Sequence, residues 1–118
     1  KKKTLILGAS DNPARYSYLA MQRLLQKGHP VVGIGKKNTV VFNTNIGTEK
    51  TPFEDIDKLP LPKPFSLAGY YDYILSLKPK RIIFNPGAEN DELAALAQKN
   101  GIHTMEACTL VMLSINQY

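Results

Sequence analysis

The sequence predicts an α/β domain, doubly wound: a mainly parallel five-stranded sheet in the order 3-2-1-4-5 with helices on both faces. Three observations predict it. Short apolar runs alternate with stretches of helical periodicity, the pattern of repeated strand–helix–strand units. Runs such as "TLILG" (4–8) are continuously apolar rather than alternating, which suits strands covered on both faces. The junctions "KGHPVV" and "KNGIHTM" each place a glycine between a polar helix end and an apolar run, the shared chemistry of helix-to-strand turns rather than a sign of duplication.

The elements follow in order. After the first strand, Ser17 to Lys27 sets Tyr18, Met21, Leu24 and Leu25 at helical spacing, with Ser17 the expected N-cap and Gly28 the stop. "PVVGIG" (30–35) is the second strand, and the crossover between the two should be right-handed. Residues 38–53 combine the β-rich "TVVF" with the turn-prone "NTNIG" and predict a small hairpin or a meander. The following segment should carry the third strand, but it holds Pro60, Pro62 and Pro64. Proline cannot donate to a ladder, which restricts the segment to an edge strand or an extended loop, and in the order 3-2-1-4-5 the third strand is an edge. Ser66 to Leu77 predicts an amphipathic helix and "KRIIFNPG" (80–87) a buried strand ending in a sharp turn. "AENDELAALAQKNG" (88–101) predicts a helix capped by Asn90, with Asp91 and Glu92 at its positive end, Leu93, Leu96 and Ala97 inward, and Gly101 as its stop. "IHTMEA" (102–107) is the last strand and "CTLVMLSINQ" (108–117) a short closing helix.

Composition narrows the function classes. A chain of 118 residues fits one domain, 1–118, able to bury a core without disulfides or metal. With 43% hydrophobic and 21% charged residues it has the balance of a folded protein rather than a disordered one. No apolar run approaches the roughly 20 residues that cross a bilayer, and "KKKTLILG" has neither the length nor the flanks of a signal peptide. With the single cysteine, Cys108, this leads us to expect a cytoplasmic protein without a membrane partner. The net charge of +5 is scattered rather than gathered in one stripe with aromatics, so nucleic acid is not an expected partner.

In open parallel sheets, ligands sit beyond the carboxyl ends of the strands, which directs attention to the loops at 8–17, 35–38 and 85–90. In the first, Gly8 permits a tight turn, the helix start offers amides and a partial positive charge to a phosphate, and Arg15 adds a full charge. A dinucleotide site would show G-x-G-x-x-G and then an acidic residue for the ribose hydroxyls about 20 residues on. Here the loop reads Gly8-Ala9-Ser10-Asp11-Asn12-Pro13, and the second strand ends in Gly35-Lys36-Lys37. Two lysines at the ribose end suit a ribose phosphate, which favours coenzyme A or NADP over NAD. The third loop, "NPGAEN", approaches the same edge through Gly87, and Glu89 there complements a helix dipole rather than acting in catalysis. His29 and His103 both lie next to strand starts and therefore belong to the opposite edge. No cluster has metal-ligand spacing, no serine lies in a nucleophile elbow, and Cys108 opens a helix in an apolar context, so no catalytic set is assigned.

These residues carry a resemblance. "TLILGASDNPARYSYLAMQRLLQKGHPVVGIGKK", "YYDYILSLKPKRIIFNPGAENDELAALAQKNGI" and "ACTLVML" closely resemble the small bacterial CoA-binding domain proteins, Rossmann-like domains similar to the N-terminal CoA-binding domain of the succinyl-CoA synthetase α subunit. The match covers about three quarters of the chain, in order, and leaves out residues 38–66 with their prolines, where relatives have a β-rich third strand and a polar loop. The resemblance implies CoA or acyl-CoA as the ligand, lying across the carboxyl edge. Gly8, Ala9, Ser10, Asn12, Arg15 and Ser17 would hold phosphate. Gly35, Lys36 and Lys37 would lie near the adenosine and its ribose phosphate, and Asn85, Pro86 and Gly87 would flank the pantetheine. Such proteins lack the synthetase's catalytic histidine and second subunit, so the implied activity is non-catalytic binding. Two alternatives stand beside it: an interaction module of the same fold that has lost its ligand, and an NADP-type or acyl-CoA enzyme module.

Overall fold

The computed structural model describes residues 3–61 and 69–118. Its chain order is β1 (Thr4–Ala9), α1 (Tyr16–Gln26), β2 (Val31–Gly35), β3 (Thr39–Val41), β4 (Thr44–Gly47), β5 (Lys58–Leu61), α2 (Tyr71–Leu77), β6 (Arg81–Phe84), α3 (Asp91–Lys99), β7 (His103–Glu106) and α4 (Thr109–Ser114). The strands form one sheet of seven among the described residues, in the order β3-β4-β2-β1-β5-β6-β7. All neighbours are parallel except β3 and β4, which form an antiparallel hairpin at one edge.

The α/β class and the mainly parallel sheet agree with expectation, whereas the strand count and order do not. The excursion at 38–53 supplies the missing strand: β4 pairs parallel with β2, at Gly33 with Ile46 and Ile34 with Gly47, and so takes the third position. Its hairpin turns at Phe42 and Asn43, the last residue of "TVVF" and the first of "NTNIG", both with positive φ (50° and 62°), and the rest of "NTNIG" is the returning strand β4. That pair of angles is the two-residue turn whose twist matches the flanking strands.

The proline-bearing segment is therefore the next strand along, and β5 lies in the interior of the sheet with all four residues buried, not at an edge. The register explains how it tolerates Pro60. Strand β5 pairs with β6 along its whole length, with Asp57 and Leu61 carbonyls accepting from Arg81 and Asn85 amides on that side. Pro60 alternates to the β1 side, where the ladder registers only Thr4 with Lys58, so its missing N–H leaves no ladder bond broken. Pro62, Pro64 and the expected helix start at 66–68 lie outside the described residues. Helix α2 begins at Tyr71, after Gly69 (φ 82°) and Tyr70, later than the apolar spacing suggested.

Alternation along the strands divides the core in two. Leu5, Leu7, Leu59, Leu61, Ile82 and Phe84 face α2 and α3 through Tyr73, Ile74, Leu93 and Ala97. Ile6, Ala9, Val31, Ile46 and Ile83 face α1 and α4 through Met21, Leu24, Met112 and Leu113. Three of the helix ends share one pattern. In α1 the His29 amide donates to Leu24 and Gly28 to Leu25, in α3 Ile102 donates to Ala97 and Gly101 to Gln98, and in α4 Gln117 donates to Met112 and Asn116 to Leu113. This double bond pattern satisfies the last carbonyls while a left-handed residue (Gly28, Gly101 or Asn116) turns the chain away from the helix.

Candidate functional site

The carboxyl ends of β1, β2, β5, β6 and β7 open on one edge, and the loops that leave them meet there. Strand β1 does not end at Gly8, as its apolar run suggested, but continues to Ala9 through a bulge: Leu7 pairs with Ile34 and Ala9 with Gly35, leaving Gly8 between them at φ 77°. The extra residue returns Ala9 to the face of Ile6, and only glycine adopts that φ without strain. Gly35 is equally constrained, because a Cβ there would lie 2.2 Å from the Ala9 carbonyl oxygen. The first two loops are thus set by a close backbone approach between the ends of β1 and β2.

The loop after Ala9 is built by its own polar groups. The Asn12 amide donates to Ser10 Oγ (3.0 Å), Asn12 Oδ1 accepts from the Ala14 amide (3.0 Å), and the Arg15 amide donates to the Asn12 carbonyl (3.0 Å). This short network turns the chain from strand to helix. Helix α1 then starts at Tyr16 with Arg15 as N-cap, so Ser17, the expected cap, lies inside the first turn and is buried. No side chain caps this helix and its first turn holds no acidic residue. The contrast with α3 is direct: there Asn90 Oδ1 accepts from the Leu93 amide (3.0 Å), and Asp91 and Glu92 fill the first turn. The positive end of the α1 dipole, with exposed Arg15 beside it, therefore faces the carboxyl edge without internal neutralisation by a side chain of its first turn.

The second loop places Lys36 and Lys37 on the surface. Lys37 Nζ reaches across to Asp11 Oδ2 (3.2 Å), which also accepts from Thr39 Oγ1 (3.2 Å) and so ties the first loop to the second. The hydrogen bond from Lys37 holds the Asp11 carboxyl below its ordinary range.

In the third loop Asn85 has a different place from its neighbours. It is 3% exposed, and its side chain joins three elements. Oδ1 accepts from the Tyr16 hydroxyl (2.8 Å) and from the Thr109 amide (2.8 Å), while Nδ2 donates to the Leu61 carbonyl (2.9 Å). The starts of α1 and α4 are thereby fastened to the ends of β5 and β6. Burial pushes the Tyr16 phenol above its ordinary value, which keeps it a donor. Pro86 and Gly87 lie on the surface, with the Gly87 amide donating to Glu89 (3.2 Å). Tyr16, Thr109 and Asp11 were missed in the sequence. The available signal was Asn85 itself, a polar residue closing a buried strand, which must find partners.

The histidines lie at the opposite edge. His103 Nδ1 accepts from Arg81 Nε (2.9 Å) at the start of β7, and the His29 ring packs 5.1 Å from that of Tyr118. Cys108 is the half-buried N-cap of α4. Among the described residues no group of three or more His, Cys, Asp or Glu is placed to hold a metal ion, and no helix is long and apolar enough to cross a membrane.

Comparison with known proteins follows the same outline. The sequence pattern of the CoA binding domain family matches residues 2–114. A crystal structure of an uncharacterized protein is 46% identical, superposes with a TM-score of 0.92, and is matched over 99% of this chain and 98% of its own. A hypothetical protein from Pyrococcus horikoshii (21% identity, TM-score 0.82, 98% of this chain and 83% of that one) has the same fold. So does a protein from Thermus thermophilus (19% identity, TM-score 0.81, 99% and 90%).

Proposed function

This chain belongs to the CoA binding domain family, and from that premise we propose that it is a non-catalytic binder of CoA or acyl-CoA whose ligand lies across the carboxyl edge of the sheet. The observation that carries the reading is the start of α1: an eleven-residue helix with no side-chain cap, no acidic residue in its first turn and Arg15 at its N-cap. A diphosphate suits such a terminus, because backbone amides and the dipole favour negative charge together. Gly8 and Ala9 bring the backbone to it, and Ser10 and Asn12 shape the loop, with Ser17 in the buried wall behind.

In this reading Gly35, Lys36 and Lys37 take the adenosine end, where two ammonium groups suit a ribose phosphate better than a free diol. Pro86 and Gly87 flank the pantetheine. Asn85 serves this site as a positioning residue, since its polar atoms are engaged with Tyr16, Thr109 and Leu61. Binding without turnover accords with the separation of reactive groups: Cys108 stands at the carboxyl edge, whereas His29 and His103 stand at the amino edge.

Isothermal titration with CoA and dephospho-CoA tests the proposal. We expect saturable binding of CoA that weakens when the ribose phosphate is absent. Binding of neither compound overturns it, and CoA-dependent turnover by the purified chain would replace binding with catalysis.

A further inference from the structure

One of the loop cations has an internal partner. Lys37, one of two lysines that follow β2, makes an ion pair with Asp11 at 3.2 Å, and the same carboxylate oxygen accepts from Thr39 at 3.2 Å. Asp11 lies two residues beyond the end of β1, in the loop that leads to the uncapped start of α1. The loop that leads to the anion-favouring helix terminus therefore sends an acidic side chain to the cation of the second loop. A phosphate site gains nothing from such a carboxylate in direct contact with its lysine. The contact does make a competitor: the carboxylate occupies the donor that an incoming phosphate would use, and in the same position it repels that phosphate.

We propose that Asp11 is a specificity-determining residue of the nucleotide site, an internal counter-ion that competes with the ligand's ribose phosphate for Lys37. The inference rests on the CoA reading above and adds to it how strongly the site distinguishes phosphorylated from unphosphorylated adenosine ends. A ligand ending in a free ribose leaves the Asp11–Lys37 pair intact. A ligand carrying a phosphate monoester there brings a charge of about −1.5 to −2 against the carboxylate's single charge, and draws Lys37 away from Asp11. The pair is suited to exchange because both partners are well exposed, with side chains 69% and 40% accessible, and exposed ion pairs are weak. Thr39 keeps Asp11 placed as Lys37 leaves. The lowered proton affinity of Asp11 keeps the competitor charged at neutral pH.

The test is a cycle of four proteins, wild type, D11N, K37A and the double variant, each titrated with CoA and with dephospho-CoA. Asp11 and Lys37 are surface side chains, so all four should fold, and circular dichroism verifies it. We expect D11N to tighten CoA about two- to fivefold, the range that losing an exposed ion pair permits, with dephospho-CoA nearly unchanged. In the K37A background the same substitution should lose that selective gain, because the contested lysine is gone. Equal tightening of both ligands by D11N, or a gain that persists without Lys37, would show general repulsion of anions and overturn the inference. Wild-type binding of CoA with no response to D11N overturns the inference while leaving the CoA reading in place. No binding of CoA by any of the four overturns both.

Discussion

At the scale of single residues, one buried side chain ties together the elements that meet at the carboxyl edge. Asn85 satisfies two donors and one acceptor from three separate elements while almost wholly buried. Replacing it with alanine leaves the Tyr16 hydroxyl proton, the Thr109 amide and a share of the Leu61 carbonyl without their acceptor or donor, and buried groups so stranded cost about 1–3 kcal/mol. Asn85→Ala should therefore lower unfolding free energy by about that amount in urea denaturation, and Tyr16→Phe by less. Tyr73 supplies a second prediction. Its half-buried hydroxyl donates to the Thr51 carbonyl, and desolvation, reinforced by Tyr70, pushes the phenol from 10.0 up to about 12. The folded chain thus keeps this proton to higher pH than the unfolded chain, so its contribution is complete below pH 10.0 and lost as pH rises through about 12. Denaturation midpoints measured across that interval should fall with pH, and Tyr73→Phe should make the decline shallower. Asn85 was visible in the sequence as a polar residue closing a buried strand, yet its work was not: its partners lie 24 and 69 residues away.

At the scale of elements, the contact between β1 and β2 is the feature most exposed to mutation. Gly35 is extended backbone whose glycine is required by space, since a Cβ would lie 2.2 Å from the Ala9 carbonyl oxygen and 3.1 Å from Ile46. The backbone cannot swing aside as a side chain can. Gly35→Ala should cost about 1–3 kcal/mol as an overpacked strand contact, with weaker CoA binding because both loops of the proposed site start there. The helix periodicities and the stops at Gly28 and Gly101 are local properties and were readable, as was Asn90 as a cap, whereas the left-handed ends at Lys78 and Asn116 carried no glycine to mark them. The proline-bearing strand was misplaced for a physical reason. Proline excludes a ladder bond on one side only, and which side Pro60 presents depends on the register with β1 and β6. That register is a tertiary fact. Once β4 supplied the third position, β5 had to move inward.

At the scale of the whole molecule, the two edges of the sheet do different work. The amino edge is closed by Tyr118. Its ring lies 4.3 Å from the Lys58 ammonium and 5.1 Å from His29, and its hydroxyl shares a hydrogen bond with Thr4 Oγ1 (2.7 Å). Lys58 is itself buried beside Asp57 at 3.3 Å, so the aromatic face and the carboxylate together receive a charge that could not otherwise enter the core. Tyr118→Ala should lower stability by roughly 3 kcal/mol or more, the cost of truncating a large buried aromatic. Because this edge is opposite the proposed ligand edge, the ratio of CoA to dephospho-CoA affinity should remain as in wild type. A change in that ratio would mean that the edges are coupled.

The sequence by itself determined the alternation of strands and helices, the loops that follow β1, β2 and β6, the two lysines where a dinucleotide fingerprint carries an acidic residue, and the likeness to CoA-binding domains. All of these follow from periodicity, backbone chemistry or short motifs, which neighbouring residues specify. Tertiary structure alone decided the seven-strand order, the interior position of Pro60, the turn of Asn85 toward Tyr16 and Thr109, and the pairing of Asp11 with Lys37. Each depends on which distant segments are brought together, because ladder register, burial and ion pairing are relations between elements that no single stretch of chain contains.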